Sequence, residues 1–184
     1  MRAEISPQLY ARIGGLFYLI IIIAGGFAQF SRGNLVVSGD AAATARNIVV
    51  SESLFRIGVA GEMMTLVFAV ALTVILYVLF RPVSKTLALL AAFFALVSIA
   101  IEGTSIVSFF AVLSIVKGAG YLSAFAPDQL NALAYLSLGL FEYGFGISLV
   151  FFGFCLFLYG FLIFRSGYFP KWLGVFVIIG SVCF

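Results

Sequence analysis

Three glutamates, Glu62, Glu102 and Glu142, sit deep inside long apolar runs of a chain in which only 9% of residues are charged. A carboxyl group in such a run is costly, and it is kept where it faces a bundle interior, a water-filled cavity or a partner. Arg56 lies six residues before Glu62, and Tyr143 follows Glu142 directly. Together these five residues can build a polar pocket for a cation or a small polar ligand. Three like charges against one arginine cannot all be ionised cheaply in a dry site, so a proton is held there or a ligand sits among them. The competing reading is that each carboxylate reaches separately to water at the interface and only fixes packing.

Catalytic chemistry has less to work with. The chain contains no histidine, which removes the commonest general base and the commonest transition-metal ligand. No HExxH, ExxH, GxSxG, P-loop or GxGxxG pattern occurs. Three glutamates could hold a hard cation, but no EF-hand-like spacing supports one. No catalytic residue and no metal ligand is therefore assigned, and no cofactor is named. An intramembrane enzyme using glutamates as acid and base ranks last among the functional classes.

The elements that must carry these residues are membrane helices. The 184 residues are 64% hydrophobic, and the mean hydropathy is +1.25. A soluble domain carries about 25% charged residues, and the apolar runs far exceed the ~10 residues of a barrel strand. The expected fold class is all-α: a polytopic transmembrane bundle of four full spans, a partial fifth and one short extracytoplasmic helix. A single integral domain is expected over residues 1–184, with spans near 12–30, 54–81, 86–116, 128–164 and 172–184. Arg2 and Arg12 before an apolar run loosely resemble a leader, but the run is too long and more spans follow. Gly39-Asp40 before Ala41-Ala42-Ala43 predicts a capped surface helix over about 41–50, its apolar end resting on the interface. Glu52 and Arg56 are four apart and can pair. The run from Asp128 to Phe164 spans ~55 Å as a helix, longer than the ~30 Å hydrocarbon core, so it projects or kinks near Gly144 and Gly146. The stretch after Trp172 gives only ~20 Å of helix and reads as stopping partway through a span. Cys155 and Cys183 lie in apolar runs and read as packing residues.

Loop charges set an orientation. Arg2, Arg12, Arg81, Lys85, Arg165 and Lys171 share one side with Glu4 alone, whereas Arg32, Arg46, Arg56 and Lys117 face Asp40, Glu52 and Asp128 on the other. The positive-inside rule then predicts a multi-pass protein of the bacterial inner membrane with a cytoplasmic N-terminus. Counted from the inner helix ends, the three glutamates rise to ~26–34 Å, nearly one level in the outer leaflet. Arg56 lies ~9 Å above Glu62 and can reach down towards it.

Gly139, Gly146, Gly153 and Gly160 recur every seven residues, which aligns them on one helix face together with Glu142. A smooth seam of this kind lets helices approach closely. The first functional expectation is thus a structural or interaction bundle packed through the seam, within the chain or as a homo-oligomer. The alternative is a small transporter or ligand- or cation-binding membrane protein that uses the glutamates. The partner in either case is the lipid bilayer. The basic residues sit at helix ends and do not indicate nucleic acid.

The run Gly39-Asp40-Ala41-Ala42-Ala43-Thr44-Ala45 with Asn47-Ile48, Ser51-Glu52 and Leu54-Phe55-Arg56-Ile57-Gly58 resembles the bacterial membrane family DUF4386, a domain of unknown function. Leu79-Phe80-Arg81-Pro82-Val83 with Leu87 to Phe94, and Tyr143-Gly144-Phe145 through Val150-Phe151-Phe152-Gly153 to Arg165-Ser166-Gly167-Tyr168-Phe169-Pro170, fit it too. The resemblance implies about six spans and no established activity. It also implies that Phe141 and Cys155 stand where members often carry histidine, so a histidine-based site is missing here.

Overall fold

The computed structural model of the chain describes residues 7–167 and 169–182. Cys183 and Tyr168 lie outside the described residues. The helices are α1 (Pro7–Leu35), α2 (Ala41–Val50), α3 (Glu52–Phe80), α4 (Lys85–Ser105), α5 (Val107–Val116), α6 (Pro127–Ser166) and α7 (Lys171–Ser181). No strand occurs among the described residues. Four helical segments are long and apolar enough to cross a membrane: Gln8–Leu35, Glu52–Phe80, Lys85–Val116 and Pro127–Ser166. Their outer faces carry large apolar side chains, such as Ile23, Phe30, Val67 and Phe154. In water this surface would aggregate, and in a bilayer it is the solvent-matched face. The protein is a multi-pass membrane protein.

Helix ends follow local chemistry. Asp40 caps α2 by accepting the Ala43 N–H at 2.8 Å, and Gly39 takes the positive φ of 78° that the preceding turn needs. Two of the expected boundaries differ. α1 runs on to Leu35 instead of ending near Phe30; Leu35 is buried, and the Asn34 side chain donates to the Phe30 carbonyl. The third span is interrupted at Ile106, where α4 gives way to α5. The long helix α6 runs over 40 residues without a break at Gly144 or Gly146, which leaves projection as the way to fit its length to the bilayer.

The chain divides into two compact units. The first comprises Met1–Ile21, Leu66–Ile101 and Gly146–Phe184. Its core gathers Phe80, Ala88, Ala91, Ala95, Cys155, Tyr159 and Leu162. Cys155 is a free, buried thiol. Here α6 and α7 cross at two glycines: a Cβ on Gly174 would come within 2.7 Å of the Gly160 carbonyl oxygen, so only glycine allows the approach. The Ser98 hydroxyl donates to the Ser148 carbonyl at 2.9 Å, tying α4 to α6.

The second unit comprises Ile22–Thr65 and Glu102–Phe145. Small residues again bring two helices together. Gly61 faces the Ala24 backbone, where an added Cβ would sit 3.1 Å from the carbonyl oxygen, and Gly58 leaves room only for the Ser31 side chain. Ser31 in turn donates to the Leu54 carbonyl at 3.3 Å. This contact of α1 with α3 brings Arg32 of α1 beside Glu62 of α3.

Candidate functional site

Arg32 is the centre of the charged cluster in the second unit. It lies in the last turn of α1, one residue beyond Ser31. One guanidinium nitrogen donates to Glu62 Oε1 at 2.5 Å, and another donates to Gln29 Oε1 at 2.6 Å. The Arg32 and Glu62 side chains are only 11% and 6% exposed, so this is a buried ion pair in an apolar surround. The guanidinium carbon also lies 4.8 Å from the Phe141 ring centre and 5.4 Å from that of Phe109. Those rings stand 4.3 Å apart and continue to Phe55 on one side and Phe145 on the other. Aromatic faces of this kind stabilise a desolvated cation by about 2 kcal/mol or more. The Arg32 Nε is buried and has no hydrogen-bond partner among the described residues.

Two further carboxylates join the cluster. Glu102, half-buried in the last turn of α4, feels both repulsion from Glu62 and attraction from Arg32. Glu142 lines a recess of about 220 Å³ together with Arg32, Gln29, Phe109, Tyr135 and Gly139. The floor of that recess is open at Gly139, where an added Cβ would meet nothing within 4 Å. Tyr135 also fixes the wall, since its hydroxyl accepts the Gly39 N–H at 3.0 Å. Among the described residues no three acidic, cysteine or histidine side chains lie close enough to share a metal ion.

The break at Ile106 sits between Glu102 and Phe109, both part of this cluster. Ile106 keeps near-helical angles, and the Ser108 hydroxyl donates to the Ser105 carbonyl at 2.6 Å. Across from it, Gly144 presses on Ser105 so closely that an added Cβ would overlap the Ser105 side chain.

The structure thus brings Glu62 and Glu102 into one electrostatic group and places Glu142 beside Arg32 on the recess wall. Arg56 and Tyr143 are elsewhere. The Arg56 Nε donates to Glu52 at 2.6 Å, and Lys117 reaches the same carboxylate at 2.8 Å, forming a separate network at the helix ends. The i, i+4 partner is nearer and better hydrated than Glu62, so the arginine stays with it. Tyr143 is 72% exposed on the outer face of α6. Of the seam glycines, Gly160 packs tightly on α7, whereas Gly139 and Gly146 face open space. Arg32 escapes a sequence reading that ends the first span at Phe30, and Gln29 lies inside that span without being singled out. The available signal is that Ser31 extends the small-residue face formed by Ala24 and Ala28, with Arg32 one helical turn after Ala28.

Neither a search of curated proteins nor one of solved structures returned a match. One family profile, described as a domain of unknown function, matches residues 13–184. On that match, which takes in every element of the cluster, the chain belongs to the DUF4386 family.

Proposed function

We propose that this protein binds a small organic cation of the ammonium class within the membrane, as a carrier or receptor does. The observation that carries the reading is the charge count of the Arg32 cluster: one guanidinium stands among Glu62, Glu102 and Glu142, and it is committed to Glu62. Glu102 and Glu142 form no ion pair among the described residues. Glu102 is half-buried and Glu142 is exposed on the recess wall, and carboxylates without a counter-charge beside an apolar surround attract a cation. The recess wall supplies the Tyr135 ring, which suits an alkylammonium, and carboxylates that do not converge within metal-binding distance suit it better than a hard divalent ion. We place the N-terminus in the cytoplasm of a bacterial inner membrane, because the basic excess lies on that side.

Thermal stability of the detergent-purified protein tests this with methylammonium, choline, sodium and magnesium. At ten times the dissociation constant a bound cation stabilises by about 1.4 kcal/mol, or about 3–6 °C for a chain of this length. The expected result is such a shift with methylammonium, lost in Glu102→Gln and Glu142→Gln. A wild-type protein blind to every cation would refute the reading.

A second reading is favoured by Gly146, which is exposed between Tyr143 and Ile147 with nothing within 4 Å of an added Cβ. This face of α6 would then pack against a second copy of the chain. Size measurement of wild type against Gly146→Leu separates the two readings, since only self-association is lost in that variant.

A further inference from the structure

A second recess, of about 370 Å³, opens between α2, α5 and the start of α6. Its walls are apolar, with Val49, Val50, Val116 and Leu130, and its polar edge is Arg46 and Asn131. Val50, Val116 and Pro127 stand within two residues of the ends of three membrane-crossing segments. The recess therefore lies at the level where hydrocarbon meets headgroups.

The charges around it are unequal in their commitments. Arg56 and Lys117 are both engaged by Glu52, and Asp40 is engaged as the cap of α2. Arg46 makes no ion pair among the described residues, Asp128 in the first turn of α6 included. An uncommitted guanidinium at the mouth of an apolar groove, at interface depth, complements one abundant neighbour. We propose that this recess holds an anionic phospholipid of the bilayer, with its phosphate on Arg46 and Asn131 and an acyl chain along Val49, Val50 and Leu130. Arginine pairs with phosphate oxygens through its planar fork, and the buried methylenes add the apolar part of the affinity. The volume is at the lower end for a ligand cavity, about 300–1,000 Å³, which suits one chain segment rather than a whole lipid.

Native mass spectrometry of the full chain released from micelles tests this, using phosphatidylglycerol, phosphatidylcholine and free glycerol 3-phosphate as probes. Wild type is expected to retain phosphatidylglycerol in preference to phosphatidylcholine and to ignore glycerol 3-phosphate. Arg46→Gln should lower the retained phosphatidylglycerol about five-fold, the effect of one basic residue at an anionic surface, and Arg46→Lys should restore part of it. Val49→Trp fills the groove and should also abolish retention. Val50 is 85% exposed, so Val50→Trp repeats that test without disturbing the fold. Retention unchanged by these substitutions overturns the proposal. So does sensitivity to the charge change alone or to the groove-filling changes alone, and so does binding of glycerol 3-phosphate as tightly as the lipid.

Discussion

A guanidinium and a carboxylate buried together hold each other in place, and the strongest expectations concern removing one of them. Arg32→Leu leaves Glu62 charged in an apolar surround and should cost about 3–5 kcal/mol in a denaturation experiment. Arg32→Leu combined with Glu62→Leu should recover most of that loss, because no lone charge remains. Arg56→Leu should change stability far less, since that side chain is half-exposed and pairs at the surface. The glutamates were legible in the sequence because a carboxylate inside an apolar run is conspicuous. Their true cation was not. Arg32 sits just past the point where the apolar run thins, and there the packing of Ser31 against Gly58 and Leu54 holds the end of α1 against α3.

Helices in this protein meet through small residues, and the contacts differ in how much they tolerate. At Gly160 an added Cβ would stand 2.7 Å from Ile178 and 3.0 Å from the Gly174 carbonyl, and backbone cannot step aside. Gly160→Val should therefore destabilise by about 1–3 kcal/mol or more. Gly144→Ala collides with the Ser105 side chain, and Ser105→Gly should relieve part of the loss, which a melting comparison of the two single variants and the pair would reveal. Gly146→Leu meets open space and should leave the monomer's stability within about 0.5 kcal/mol. A spacing of seven aligns Gly139, Gly146, Gly153 and Gly160 on a helix, but periodicity does not say which of them meets a neighbour. The interruption at Ile106 was equally hidden, because Ser105-Ile106-Val107 contains no glycine or proline to mark it.

At the level of the whole molecule, the class was written in composition. Long apolar runs leave no fold but membrane helices, and the four crossing segments lie close to where hydropathy puts them. The capped helix at Ala41–Val50 was readable for a different reason, since Asp40 and Gly39 announce it locally. What brings distant residues together is not local, so the Arg32 cluster emerges only from packing. Within it, Gly139 offers a way to close the recess without altering any charge. Gly139→Leu should leave the melting temperature of the unliganded protein unchanged, because its Cβ position is free of neighbours. Titrating methylammonium against wild type and Gly139→Leu is then the most direct test of a cation site beside Arg32. Stabilisation of about 3–6 °C in wild type that vanishes in Gly139→Leu is the predicted result. Equal stabilisation of both proteins, or of neither, would contradict it.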